Sequence, residues 1–346
     1  MKKNIIKLLL TLGITPLLVN CTGTAPLQTQ LPSVHQTSSP TIGTPVYTPN
    51  KTPPTVVRTS PDPRQNTPQR SKHGQSAYYA KFQLPPSIKE SSGLIKVDGK
   101  LWTHNDSGGK AMLYQVNERT GKIVKTIKIT NAHNRDWEDI AYDDTYVYIG
   151  DFGNNRGNRK DLKVYKIPRS ALSNSKSVRA EVINFSFSDQ KGFQRAKPKQ
   201  TNFDCEAMVA LNGKLYLFSK NWQNQQTRLY ELSSQAGKHK ANYISSFNTQ
   251  GMVTGAAINK EMDILLLTTY SPLLNVNVWA FTNFKGHNLL GGNAKRLNFA
   301  NPLSGQIEGV TFTGNHKAYL SSEGFQKYIF SFSPTLYSVD FSGEFE

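Results

Sequence analysis

Cysteine is nearly absent: Cys21 and Cys205 are the only two in 346 residues. If Cys21 carries lipid, no intrachain disulfide can form, and the fold must be held by its core. No His or Cys cluster has metal-ligand spacing. The chain also lacks a G-x-S-x-G elbow, an H-E-x-x-H pair and a P-loop, so the common serine-hydrolase, zinc-peptidase and nucleotide-hydrolysing signatures are missing. There is no helix-turn-helix pattern, zinc finger or aromatic RNA-binding motif either, so no nucleic-acid partner is expected. Long apolar runs are missing as well. The one apolar run near the start, within "MKKNIIKLLLTLGITPLLVN", is broken by Gly13 and Pro16 and is too short to span a bilayer.

Acids are scarce too, with 24 Asp and Glu against 41 Lys and Arg, a formal net charge of +17. Yet "DWEDIAYDDTYVYIGDFGNN", residues 136 to 155, holds six acids and no Lys or Arg. Excluding the leader (+3) and residues 22 to 77 (+4), residues 78 to 346 carry +10. A basic exterior of that kind favours anionic surfaces.

The Lys-led leader, residues 1 to 20, reads as a secretory signal ending at Cys21. Leu18-Val19-Asn20-Cys21 is similar to a lipobox, although Asn20 stands where a smaller residue is usual. The expectation is an envelope lipoprotein anchored through lipid on Cys21 in the outer membrane of a Gram-negative cell. Residues 21 to 77 are rich in Thr, Pro, Ser and Gln and offer too little apolar surface to offset chain entropy. They read as a disordered tether.

Residues 78 to 346 repeat internally. Five segments align without gaps: "SSGLIKVDGKLWTHNDSGG" (91 to 109), "WEDIAYDDTYVYIGDFGNN" (137 to 155), "CEAMVALNGKLYLFSKNWQ" (205 to 223), "VTGAAINKEMDILLLTTYS" (253 to 271) and "IEGVTFTGNHKAYLSSEGF" (307 to 325). Each opens on a polar residue (Ser92, Glu138, Glu206, Thr254, Glu308) and a mostly small one (Gly93, Asp139, Ala207, Gly255, Gly309). Two apolar runs flank a turn. A third β-like run follows ("LYQV", "KVYKI", "RLYEL", "NVWAF", "YIFSF"), and in most repeats a fourth. Period-two alternation with β-branched and aromatic residues argues for strands. Four antiparallel strands per repeat, at intervals of 46, 68, 48 and 54 residues, predict an all-β fold, a β-propeller. The count is five blades, or six if the long second interval hides a degenerate one. "YYAKFQL" (78 to 84) is expected to close the ring by joining the last blade. The competing architecture is a β-sandwich with accidental similarity.

In a propeller the start of the first strand and the end of the second meet on one face. That places Asp106, Glu138, Asp151, Glu206, Glu308 and Glu323 at one mouth of the axial channel, with Glu90, Asp136 and Asp204 just upstream, and Lys220 and Tyr270 in the remaining blades. Clustered carboxylates need compensation. One solution is a cation held by Glu138, Glu206 and Glu308. Calcium suits such an oxygen-rich set. A cationic or polyhydroxylated small polar ligand, or an envelope protein partner, is a second. The alternative is that the acids bond backbone amides or pair with Lys and Arg of neighbouring blades. "THNDSGG" (103 to 109) reads as a Gly-supported turn rather than a catalytic group, and Cys205 as a buried structural thiol. Trp137 and Trp222 adjoin the rim and would suit sugar or headgroup contacts.

"ESSGL" with "NDSGG", "DWEDIA" with "IGDFGNN", "DCEAM" and "IEGV" resemble bacterial exported propellers of the phytase-like and SdiA-regulated type. The resemblance covers most of residues 88 to 325. It implies an envelope propeller, often calcium-associated, with at most a phosphoester hydrolase activity. Two functions follow: a ligand- or protein-binding scaffold working through the acidic mouth, or a metal-assisted phosphoester or ester hydrolase using the same acids. Clustered bases to grip a phosphorylated substrate are not evident; Lys220 is the only base at an aligned rim position.

Overall fold

The turns between the repeated apolar runs demand positive φ, and the sequence supplies residues that tolerate it. Asp98-Gly99 (φ 51° and 67°) and Asn212-Gly213 (φ 50° and 73°) close two first hairpins, the two-residue chemistry that suits the twist of antiparallel strands. The computed structural model describes residues 72–299, 301, 303, 305–327 and 330–345. The leader, Cys21 and nearly all of the tether lie outside the described residues.

Strand β1 (Ala77–Gln83) precedes five four-stranded units. The first contains β2 (Ser91–Val97), β3 (Lys100–Asn105), β4 (Met112–Val116) and β5 (Ile123–Ile129). The second contains β6 (Trp137–Tyr142), β7 (Tyr146–Asp151), β8 (Lys163–Pro168) and, after the short β9 (Ser177–Val178), β10 (Glu181–Phe187). The third contains β11 (Asp204–Leu211), β12 (Lys214–Lys220), β13 (Thr227–Ser233) and β14 (Gly237–Phe247). The fourth contains β15 (Met252–Asn259), β16 (Ile264–Tyr270), β17 (Val276–Thr282) and β18 (Asn293–Arg296). The fifth runs β19 (Ile307–Gly314), β20 (Lys317–Ser322), then, past a side hairpin of β21 (Phe325–Lys327) and β22 (Phe330–Phe332), β23 (Thr335–Asp340). Strand β1 pairs antiparallel with β23 and completes this last blade. The N-terminal strand therefore closes the ring, as expected of "YYAKFQL".

Each inner strand flanks the next, and β19 flanks β2. The described residues thus form a five-bladed propeller. No sixth blade occupies the long second interval; its extra length lies in loops 152–162 and 188–203 and in the segment carrying β9. The fifth blade differs from expectation. "TLYSVD", not "YIFSF", supplies its third strand: the described part of the earlier run, Phe330–Phe332, pairs with β21, and the later one pairs with β20 along Lys317↔Asp340 to Ser321↔Leu336.

The small second residues have a steric cause. A Cβ on Gly93 would overlap the Ile140 amide, one on Gly255 the Glu308 carbonyl, and one on Gly309 the Ser92 carbonyl. In each case the obstacle belongs to the next blade's inner strand. First-position hydroxyls stitch the same seam: Ser92 Oγ donates to the Glu138 carbonyl and Thr254 Oγ1 to the Ile307 carbonyl at 2.5 Å.

Between blades the strands bury large side chains, among them Trp102, Trp137, Tyr148, Tyr230 and Phe218. Burial of each large apolar side chain contributes about 1.5–3 kcal/mol. Cys205 is a buried free thiol in this packing, pushed up by burial.

Pairing of Ala77 and Lys317 with Asp340, and of Gln83 with Thr335, places the start of β1 and the end of β23 at one end of the blades. The chain therefore enters and leaves on that face, the bottom. The inner strands start on the other face, the top.

Candidate functional site

The top mouth gathers the acids, and the strands explain how. Glu138, Glu206 and Glu308 stand at the starts of inner strands, second in β6, third in β11 and second in β19; each is 4–5% exposed. Asp106 follows the end of β3, Glu323 the end of β20, and Asp136 precedes β6.

The tightest group among the described residues is Asp106, Asp136 and Glu138, which bring carboxylate oxygens within 4.8 Å of one another. All three are pushed up. Burial is the chief cause, then mutual repulsion: Asp136 and Glu308 act on Asp106, Asp204 and Asp151 on Asp136, and Asp106 and Glu206 on Glu138. Asp136 reaches about 7. Gly153, in "GDFGNN", makes this approach feasible, since a Cβ there would overlap the carboxylates of Glu138 and Asp136.

The other half of the mouth is organised by Lys220, at the end of β12. Its ammonium lies 3.1 Å from Glu206, and both side chains are buried. Burial would lower the ammonium, but Glu206, Tyr270, Glu308 and Asp204 together hold it well above the ordinary lysine range. It also approaches the rings of Trp222 (5.0 Å) and Tyr270 (5.2 Å). On Trp222, at 4.9 Å, sits a second ammonium, Lys199, lowered to about 8 by burial and by Lys220.

Glu308 is different from Glu206. Burial carries it to about 7, Asp204 adds to the rise and Lys220 opposes it. Its Oε2 is buried without a hydrogen-bond partner among the described residues. Glu323, half-buried, is raised by burial and by Glu308 and Asp106.

Two neighbouring acids are already engaged. Asp151 is ion-paired with Arg159 at 2.8 Å, so burial raises it while Arg159 holds it back. Asp204 accepts from the Asn154 amide at 2.5 Å and from Trp222 Nε1 at 2.7 Å. Of the six acids expected at the mouth, Asp106, Glu138, Glu206, Glu308 and Glu323 act on one another there. Asp151 is drawn aside by Arg159, a partner eight residues on that the repeat pattern does not mark. The structure also regroups the three acids expected to share a cation: Glu138 lies with Asp106 and Asp136, whereas Glu206 is committed to Lys220.

Trp137 is not a rim surface. It is fully buried, with His104 edge-on at 5.5 Å and Tyr165 at 5.9 Å. His104 is buried too and lowered to about 4 by that burial, which suits a neutral packing residue. Asp106 accepts from the Ser107 amide, and Asn134 Nδ2 donates to the Asn105 and Asp106 carbonyls at 2.9 and 2.8 Å. "THNDSGG" is thus a braced turn.

Chemically, the mouth places a carboxylate trio suited to a hard cation beside a buried lysine and aromatic pair. Oxygen donors alone, with no thiol or imidazole in the trio, fit calcium better than zinc.

No protein-family model matches the chain, and no curated protein does. Among solved structures it is similar to a chain in a nidogen/laminin complex, at 13% identity and a TM-score of 0.41, covering 74% of this chain and 86% of that one. It is also similar to the WD40 repeats of RRP9, at 8% identity and a TM-score of 0.39, covering 79% and 99%. Blade count and ring closure are established by the strand pairing of this chain itself.

Proposed function

We propose that this chain is an envelope lipoprotein whose propeller is a binding module, holding a divalent cation, calcium by preference, in its acidic mouth. The buried, unpartnered Glu308 oxygen beside the Asp106, Asp136 and Glu138 trio carries the reading. Buried anions lacking donors are costly. A cation accepting six to eight oxygens, some from water, would offset that cost and complete the site. Anchoring at Cys21, in the outer membrane, and tethering through residues 21 to 77 rest on the leader and on composition.

Calorimetric titration of chelator-stripped full chain with calcium tests the site. One ion per chain is expected, with Glu138→Gln or Gly153→Ala weakening binding at least about tenfold and Glu206→Gln weakening it less. No heat and no change in melting temperature would sink the cation reading.

One observation favours the hydrolase alternative. Lys199 and Lys220, converging on Trp222 beside the trio, supply cations that the aligned positions alone do not. In that reading the metal would polarise a phosphoester and the lysines would hold its oxygens. Turnover of a chromogenic phosphate ester should then vanish in Glu138→Gln; absence of turnover in the parent protein, or its survival in that variant, rejects it.

A further inference from the structure

Two long top-face loops, 152–162 and 188–203, lie together between the second and third blades. The Ala196 amide donates to the Arg156 carbonyl at 3.0 Å, the Lys199 amide to the Asn155 carbonyl at 3.1 Å, and Gln190 Nε2 to the Gly157 carbonyl at 2.8 Å. Lys160 lies over the Phe193 ring at 5.5 Å. This packing collects Arg156, Lys160, Lys191, Arg195, Lys197 and Lys199 on one lip. Neither 152–160 nor 190–203 contains an acid. The flanking acids are occupied: Asp161 by Arg135 and Arg159, Asp189 by Arg228, and Asp204 by Trp222. Among the described residues none of the six lip cations is in an ion pair, and Lys160, Lys191, Arg195 and Lys197 are exposed.

A second feature shares this face. The loop between β16 and β17 turns tightly, with the Ser271 amide donating to the Asn275 carbonyl at 3.0 Å, the Leu274 amide to the Ser271 carbonyl at 2.8 Å, and Leu274 at φ 60°. Its tip pushes Leu273 into solvent at 75% exposure, the highest for a large hydrophobic side chain among the described residues. Tyr270 pairs with both Met252 and Val276, which fixes the tip on the top face.

We infer that the top face docks on an anionic phospholipid surface, with the lip cations over the headgroup phosphates and Leu273 entering the acyl boundary. Unpaired lysines and arginines spread along a lip suit a diffuse field of phosphates, and an exposed apolar tip on the same face is what interfacial binding adds to electrostatics. A soluble polyanion would use the cations but not the leucine. Of the mouth acids, Glu138, Glu206 and Glu308 are buried and Lys220 offsets part of their charge, while the partly buried Asp106, Asp136 and Glu323 oppose the attraction, which the lip cations must outweigh. The inference depends neither on lipid at Cys21 nor on a cation in the mouth.

The test is vesicle sedimentation of the full chain carrying Cys21→Ala, in chelator, with phosphatidylcholine alone and mixed with phosphatidylglycerol. Binding is expected on the mixed vesicles only and should weaken as salt rises. Removing three cations together, Lys191→Gln, Arg195→Gln and Lys197→Gln, should lower the partition coefficient on the order of 100-fold. Leu273→Ser should lower it roughly tenfold without shifting the melting temperature. Equal binding to neutral vesicles, or an unchanged triple variant, overturns the inference. So does a triple variant that loses binding while Leu273→Ser does not and soluble polyphosphate binds as tightly as vesicles, which would assign the lip to a soluble polyanion.

Discussion

Asp139→Ala is expected to destabilise the domain by about 3–5 kcal/mol, a fall in melting temperature on the order of 10 °C. Asp139 sits at the small second position of its repeat, yet it is 1% exposed on the innermost strand of the second blade. Its Oδ1 accepts from the Ile140 amide at 2.8 Å and its Oδ2 from the Met208 amide, on the third blade, at 2.7 Å. Burial raises the carboxyl well above the usual range, while the amides of Met208, Ile140 and Ala256, the last on the fourth blade, pull it back. One carboxyl therefore ties three inner strands at the axis, where ordinary ladder pairing ends. Alanine would leave these amides without their acceptor and open a small void. Asp139→Asn tests the mechanism, because its amide group would present a donor to one of those backbone donors. It should recover only part of the loss. Denaturant and thermal unfolding measure both, and a cost below about 1 kcal/mol for alanine would show that the neighbouring strands do not need this acceptor.

The same position shows why some of the structure was legible in the sequence. Gly93, Gly255 and Gly309 are small because the next blade's backbone leaves no room, so geometry writes itself into the repeat at a fixed column. Asp139 breaks the column for a reason that only the neighbouring amides reveal. The closing strand was legible because the last repeat lacks a fourth run while "YYAKFQL" stands upstream of the first, and the mouth because strand starts and strand ends share a face. "YIFSF" and "TLYSVD" both alternate, and pairing with β20 alone chooses between them. Side-chain allegiance was less visible: Arg159 captures Asp151, and Lys220 captures Glu206, across loops or strands whose side-chain directions the pattern does not encode. Lys199 and the basic lip lie in loops without period, brought to the mouth by hydrogen bonds between 152–162 and 188–203.

A pH series of thermal melts in chelator is expected to show stability falling as pH rises from about 4 to about 7. Asp136 and Glu308 both move up to about 7, from ordinary values of 3.8 and 4.5, chiefly through burial. Their folded pKa values exceed the unfolded ones, so in that window the native state binds more protons and gains less from deprotonation than the unfolded chain does. Because the mouth acids interact, the protons leave as a group rather than residue by residue. One such shift corresponds to on the order of 3 kcal/mol, and Asp136, which keeps some surface in water, contributes the smaller part. Asp143 and Asp161 run the other way: both are lowered, with burial opposing, Asp143 by the Tyr148 hydroxyl and neighbouring amides and Asp161 by Arg159 and Arg135. Their contribution is lost as pH falls below about 4, so the optimum belongs on the acid side of neutrality. Glu308→Gln should flatten the fall toward pH 7. Calcium should flatten it as well, and do so near pH 7 but not near pH 5, since protons and the ion compete for the same oxygens. A curve that rises from pH 5 to pH 7 in chelator, and is unmoved by calcium, would mean that the mouth acids are fully compensated by the amides and lysines already around them.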